Sequence, residues 1–180
     1  MTKTVAMFGS ARPKSMQPIY QQTEEAAELL ARNGWTIATG GGPGLMEAAN
    51  KGAKKVCQEG VCSLGYSIFL PFEAETNEHV QEDHHHKTFF TRLEEFAKCD
   101  AFIALPGGWG TLLEVLTVIQ LLQVGHMEKR PLIIVGAENF LLLERADLML
   151  KKAGYVGSDE GPFCYAVKRP LEAAEYLLDL

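Results

Sequence analysis

The chain has 180 residues, room for one domain with a sizeable core, and its 47% apolar and 22% charged content is ordinary for a soluble globular protein. A net charge of −6 argues against a general binder of nucleic-acid polymers, whose affinity rests on cationic contacts to phosphates. No apolar run approaches membrane-spanning length, and the N-terminus, Met1-Thr2-Lys3-Thr4, runs straight into a strand-like segment with no signal peptide, so the expectation is a cytoplasmic protein without a membrane partner.

Residues 5–8 read as a short apolar strand ending in Gly9-Ser10-Ala11-Arg12-Pro13. Ligands of open α/β sheets bind outside the carboxyl ends of the strands. Ser10 is therefore a candidate donor to a phosphate or ribose, and Arg12 a candidate anion clamp. Residues 18–33 carry Ala26, Ala27, Leu29 and Leu30 at helical spacing against Glu24, Glu25 and Glu28, with Asn33-Gly34 as the stop. Residues 35–39 form a second strand. It opens into Gly40-Gly41-Gly42-Pro43-Gly44, with Pro43 expected early in the helix that carries Met46 and Glu47. Four glycines in five residues exceed the needs of a turn, so close approach to a ligand or a neighbouring element is expected there. A third strand lies in residues 61–68, and a polar loop follows in which Glu73 and Asn77 are candidate ligand contacts.

Asp83-His84-His85-His86-Lys87 does not make a metal site, because adjacent histidines on a regular element cannot all face one centre. An exposed loop or helix start is expected instead, and no metal. Residues 88–98 read as a helix with an apolar stripe of Phe89, Phe90, Leu93, Phe96 and Ala97, and Arg92 at its edge. The four cysteines, Cys57, Cys62, Cys99 and Cys164, form no CxxC pair and read as reduced, mostly packed thiols.

The next stretch organises the rest: Ala101-Phe102-Ile103-Ala104-Leu105, a buried strand, then Pro106-Gly107-Gly108-Trp109-Gly110-Thr111, then Leu112-Leu113-Glu114 in a helix running to about residue 124. Amides of Gly107, Gly108, Gly110 and Thr111, the Thr111 hydroxyl and the positive end of the helix make a phosphate seat. Glu114 stands about one turn further on, a candidate acid, base or charge stabiliser. Residues 131–135, 137–152, 163–167 and 170–180 complete the pattern as strand, helix, short strand and helix. Strict alternation implies a single α/β domain over residues 1–180, a Rossmann-like, doubly wound parallel sheet flanked by helices.

Taken together, Gly9-Ser10-Ala11-Arg12, the segment from Thr39 through Gly44 to Ala48, Leu70-Pro71-Phe72-Glu73 with Asn77, Phe89-Phe90-Thr91-Arg92, the PGGxGTxxE stretch ending at Glu114, and Glu128-Lys129-Arg130-Pro131 resemble the LOG family over nearly the whole chain. That resemblance implies a Rossmann-like nucleoside 5′-monophosphate phosphoribohydrolase. Such an enzyme cleaves the N-glycosidic bond of cytokinin riboside 5′-monophosphates, and often AMP, to free base and ribose 5-phosphate. It also implies catalytic roles for Arg92 and Glu114, and a homodimer or a higher assembly of dimers. The family usually follows the arginine with lysine, where this chain has Leu93, and often has an acid before the final glutamate, where it has Leu113. Both departures bear on affinity and substrate choice.

Cleaving a ribose–base bond builds oxocarbenium-like charge on the sugar, which a Glu114 carboxylate would stabilise while activating water. Arg92 would contact phosphate or ribose and keep Glu114 ionised. Gly41, Gly42 and Met46 are placed on the base or sugar side. The scheme requires no metal or redox cofactor. A non-catalytic nucleotide-binding sensor or carrier is the alternative. A dinucleotide oxidoreductase is disfavoured, because the GxGxxG spacing and its later acid are missing.

Overall fold

The computed structural model describes residues 2–68 and 76–180. Among these the chain runs β1 (Lys3–Phe8), α1 (Pro18–Arg32), β2 (Trp35–Thr39), α2 (Leu45–Val56), β3 (Ser63–Ile68), β4 (Glu82–His86), α3 (Phe89–Phe96), β5 (Ala101–Ala104), α4 (Trp109–Gln123), β6 (Leu132–Val135), α5 (Ala137–Lys152), β7 (Tyr165–Val167) and α6 (Pro170–Leu178). The strands form one seven-stranded, all-parallel sheet in the order β4-β3-β2-β1-β5-β6-β7. From β1 the order runs one way to β4 and resumes on the other side with β5. The reversal between β1 and β5 opens a crevice at their carboxyl ends, where such sheets take their ligands.

The central strands are apolar without alternation because both faces of the sheet are covered. Every residue of β2, β5 and β6 is buried. Alternate residues of β1 go to opposite sides. Val5 and Met7 pack with Ile37, Ile103 and Ile133 under Ala26, Leu30, Ala48, Ala49 and Ala173, contributed by α1, α2 and α6. Ala6 and Phe8 pack with Phe102 and Ile134 under Phe96, Val115 and Val118, contributed by α3 and α4, with Phe140 of α5 at the margin. The doubly wound architecture expected from the alternation is the one observed.

Helices α1 and α2 cross at Gly52, where an added Cβ would lie 2.1 Å from the Glu24 carbonyl oxygen. Lys51–Glu24 (2.9 Å) and Lys55–Glu28 (2.7 Å) flank the crossing on the surface. Such exposed pairs contribute little, so the crossing is set by backbone approach.

Four local expectations change. Residues 82–86 are an edge strand, not a loop or helix start, pairing with β3 from Leu64↔Glu82 to Ile68↔His86. The β3 ladder needs a partner there, and a charged strand suits a sheet edge. Its histidines alternate between faces: His85 Nδ1 lies 3.0 Å from Ser67 Oγ, whereas His84 and His86 stand against the Tyr66 ring. Among the described residues no group of three or more His, Cys, Asp or Glu is placed to hold a metal ion. Pro43 precedes its helix, which starts at Leu45 behind a Gly44 of φ 73°. Only Phe96 of the α3 stripe is buried, while Phe89 and Phe90 are exposed. Finally, the reading of four reduced thiols is corrected: Cys57 and Cys62 are disulfide-bonded, their Cα atoms 5.8 Å apart. The turn from the end of α2 into β3 brings them together, a proximity that the CxxC spacing rule does not test. Burial pushes the free Cys99 thiol up to about 12 and the Cys164 thiol to about 11, so neither presents a thiolate near neutral pH. No helix among the described residues is long and apolar enough to cross a membrane.

Gly52→Ala is expected to force α1 and α2 apart and to cost about 1–3 kcal/mol, the usual range for overpacking. Urea unfolding followed by circular dichroism measures it, and an unchanged midpoint would contradict the crossing described.

Candidate functional site

Three glycine corners meet at the carboxyl ends of β1, β2 and β5, and Ser10 ties them together. Its N–H donates to the Pro106 carbonyl at 3.1 Å, and its carbonyl accepts from Leu45 N at 2.9 Å. Its hydroxyl oxygen accepts from Arg12 N at 3.2 Å. Gly44 permits this meeting, since a Cβ there would lie 2.5 Å from the Ser10 carbonyl oxygen. The first amide of α2 is thereby taken by protein.

The start of α4 is different. Its N-cap, Gly108, supplies no side-chain cap. The first-turn amides of an α-helix have no intrahelical acceptor, and among the described residues those of α4 are open to an anion. The glycines around it separate by role. A Cβ on Gly107 would lie 2.1 Å from Thr111 Oγ1, so Gly107 is required by the protein's own packing. Cβ atoms on Gly108 or Gly110 would meet nothing within 4 Å. Both line a cleft of about 280 Å³, where bare backbone leaves room for a bound group.

At the foot of the cleft Arg92 Nη2, from α3, donates to Glu114 Oε1, from α4. Their side chains are only 11% and 9% exposed. The guanidinium is set from three further directions: 5.4 Å from the Phe96 ring centroid, 5.9 Å from that of Phe89, and against the backbone of Gly40. A Cβ on Gly40 would lie 2.9 Å from both Arg92 Nη2 and Met46 Sδ. Arg92 Nε is buried with no hydrogen-bond partner among the described residues. Desolvation by burial pushes the Glu114 carboxyl up to about 7, and the charge and hydrogen bond of Arg92 oppose this without cancelling it. The expectation that Arg92 keeps Glu114 ionised is therefore corrected: burial outweighs it. Near neutral pH the carboxyl exists in both forms, able to hold or give up a proton.

Of the residues singled out in the sequence, Ser10, Arg12, Met46, Arg92, Gly108, Gly110, Thr111 and Glu114 line this cleft. Gly41, Gly42, Gly107 and Asn77 lie outside its lining. Asn77 Nδ2 donates instead to the carbonyls of Gly41 and Gly42, both at 3.0 Å, and its Oδ1 accepts from His79 N. Glu73, with Leu70, Pro71 and Phe72, lies outside the described residues. The cleft also takes in Phe89, Leu93 and Leu113, which form an apolar side and were not read as contacts. Phe89 carried a signal, since it stands three residues before Arg92 on one helix face, whereas Leu93 and Leu113, one residue from Arg92 and Glu114, carried none.

The family described as "Possible lysine decarboxylase" matches residues 46–177. The cytokinin riboside 5′-monophosphate phosphoribohydrolase LOG of Oryza sativa subsp. japonica is 32% identical over 154 residues, 84% of this chain and 62% of that protein. The similarly named LOG1 of Arabidopsis thaliana is 38% identical over 122 residues, 65% of this chain and 54% of that one. The chain spans about half the length of the curated relatives it matches. Among solved structures, the molybdenum cofactor carrier protein of Chlamydomonas reinhardtii superposes with TM-score 0.69 over 99% of this chain and 98% of that one, at 17% identity. The molybdenum cofactor binding protein of Rippkaea orientalis gives 0.66 over 99% and 97%, at 20% identity. These two likenesses show the fold alone.

The Glu114 carboxyl binds its proton more tightly when folded than when unfolded, so folding takes up protons between the two values. Its contribution to stability is fully present below about 4.5 and is lost as pH rises through about 7. Relative to Glu114→Gln, the wild type should lose on the order of 3 kcal/mol at most across that window. Paired urea titrations at pH 4.5, 6 and 8 measure it; a difference independent of pH would place Glu114 at an ordinary carboxylate value.

Proposed function

The chain belongs to the LOG family, and from that premise we propose that it hydrolyses the N-glycosidic bond of nucleoside 5′-monophosphates, cytokinin riboside 5′-monophosphates and AMP among them, to free base and ribose 5-phosphate. The observation that carries this reading is the buried Arg92–Glu114 pair one helical turn from an uncapped helix start. The 5′-phosphate sits on the amides of Gly108, Gly110 and Thr111, with the Thr111 and Ser10 hydroxyls and Arg12 at its edge. That placement directs the ribose inward toward Glu114, and the base lies along Met46, Phe89, Leu93 and Leu113.

As the C1′–N bond breaks, its electrons leave with the base and positive charge grows on the ribose ring. The Glu114 carboxylate stabilises that charge and takes a proton from the attacking water, whose hydroxyl adds to C1′. The departing base takes up a proton, so one water is consumed for each base released. Arg92 holds the carboxylate in place and offers its remaining N–H groups to the ribose or phosphate. Gly41 and Gly42 contribute through the position of Gly40 behind the guanidinium. Lysine decarboxylation, which the family description suggests, finds no support in the described lining of the cleft, which includes no lysine for a Schiff base. The reading requires a compartment that holds nucleoside monophosphates, and we place the protein in the cytoplasm.

A homodimer belongs to the same reading. Trp109 (88% exposed), Leu113, Leu116 and Val124 lie along one side of α4, and Phe90 of α3 is exposed as well. An apolar helix stripe of that extent suits burial against a second copy.

Incubation with AMP and with N6-isopentenyl AMP, followed by chromatography of free base and ribose 5-phosphate, tests the reaction. Base release is expected with both, falling by about 10³-fold or more in Glu114→Gln, as for loss of a group that acts in the transition state. Nucleotide binding without release would instead favour a carrier or sensor. The acting form is the carboxylate, so kcat/KM should rise with pH through about 7 and level off above it; a limb near 4.5 would remove Glu114 from the role. For the assembly, light scattering should give a dimer for wild type, with Leu116→Arg shifted toward monomer by about tenfold or more in dissociation constant. A monomeric wild type would end that part of the proposal.

A further inference from the structure

Behind the second glycine corner lies a buried polar network that the chemistry above does not use. Thr39, Asn50 and Ser63 are each 0% exposed. Thr39 Oγ1 donates to Asn50 Oδ1 at 2.6 Å and accepts from Gly41 N at 3.0 Å. Asn50 Nδ2 donates to Ser63 Oγ at 2.8 Å and to the Leu64 carbonyl at 3.2 Å, while its Oδ1 also accepts from Asn77 Nδ2. Ser63 Oγ donates to the His79 carbonyl at 2.9 Å. The backbone N–H of Asn77 donates to the Gly41 carbonyl as well, at 2.8 Å.

The count of donors and acceptors is informative. An asparagine amide has two N–H groups and a carbonyl with two lone pairs. In Asn50 all four are used inside the protein. In Asn77 both N–H groups face acceptors and the oxygen is taken by His79 N, so this side chain has no donor left for a ligand. Its donors go to the Gly41 and Gly42 carbonyls and to Asn50 Oδ1, which Thr39 also engages.

What that backbone does is visible one residue earlier. Gly40 does not have the positive φ that would demand glycine, yet a Cβ there would collide with the Arg92 guanidinium and the Met46 sulfur. Its smallness serves the arginine and not the turn. We propose that Thr39, Asn50 and Asn77 are positioning residues, which lock the Gly40–Gly42 backbone as the wall that seats Arg92 against Glu114. The inference rests on the phosphoribohydrolase reading for its effect on turnover, but not for its effect on Glu114 itself. A saturated network is suited to this task, since Thr39 and Asn77 each lose a bond if the corner shifts and Asn50 ties the two together.

Thr39→Val tests it, because valine keeps the shape and suits a buried strand but removes the hydroxyl. Thr39→Ser keeps the hydroxyl. Asn77→Asp, on a half-buried loop, is the second variant, setting carboxylate oxygens against two carbonyls. In Thr39→Val and Asn77→Asp, kcat should fall about tenfold or more while KM stays within about threefold, because the phosphate seat on α4 is held by other contacts. The acid limb of the pH profile should move upward, since a poorly seated Arg92 opposes the burial of Glu114 less. Thr39→Ser should stay within about twofold of wild type. Unchanged kcat and limb in both disruptive variants would overturn the proposal. So would a loss of activity that only tracks the folded fraction, with the limb unmoved. NMR titration of isotope-labelled glutamate carboxyls, assigned with Glu114→Gln, separates this from the reaction itself. An upward move of the Glu114 titration in Thr39→Val supports the network even if wild type releases no base, and an unmoved titration refutes it.

Discussion

A carboxyl and a guanidinium withdrawn from water at the foot of a cleft set the terms for the rest of this molecule. Burying either alone would cost several kcal/mol, and burying both is tolerable only when geometry and hydrogen bonding are well satisfied. The surroundings of Arg92 and Glu114 answer that demand. Two aromatic rings offer their faces to the guanidinium, a glycine stands where an added Cβ would displace it, and α4 carries the acid to it. Desolvation still outweighs attraction at Glu114, whose carboxyl titrates near neutrality. That imbalance is chemically useful: a fully ionised surface carboxylate would be a weaker base in this pH range, and a fully protonated one would be no base at all.

The glycine corners show that one residue type can meet three different physical demands. Gly44 takes a positive φ and lets the start of α2 lie on the Ser10 carbonyl. Gly40 and Gly107 have no such backbone requirement, and make way for Arg92 and Met46 and for Thr111 respectively. Gly108 and Gly110 have neither requirement and face open space. Sequence motifs treat all of these alike. Asking what a Cβ would meet separates glycines that the fold needs from those that only a ligand would need, and the second kind clusters at the uncapped start of α4.

Legibility in the sequence followed the range of the determining interaction. The four-residue apolar runs of β5 and β6, the helix α5 and the stop of α1 at Asn33-Gly34 are set by burial and local backbone chemistry, so composition alone placed them. The motif ending in Glu114, with Arg92 upstream, marked the cleft. What escaped is non-local. The edge strand at 82–86 exists because β3 offers an open ladder, and its own residues are poor strand formers by hydrophobicity. Phe89 looked like core because it recurs with Phe96 at helical spacing, but α3 turns that end toward the cleft. Asn77 looked like a ligand contact because a loop asparagine is polar and available; its partners, 35 and 36 residues earlier in the chain, were invisible. Cys57 and Cys62 meet only because α2 stops where it does.

The fold itself does not decide between holding a nucleotide and breaking it. A helix start at the switch point of a parallel sheet seats an anion in proteins of many functions, and the chains that superpose on this one at 17–20% identity share that architecture. The discriminating feature is electrostatic. A site built only to retain a phosphate gains from cations and neutral donors, and a carboxylate within one helical turn of the seat weakens it whenever it is ionised. Keeping Glu114 there, paying its desolvation and supporting it with a buried arginine makes physical sense where positive charge must be met as a bond breaks. Ground-state binding alone would be better served by glutamine. The acid therefore weighs more than the fold in the proposed assignment, because its cost would fall on a bound nucleotide and its benefit on the transition state.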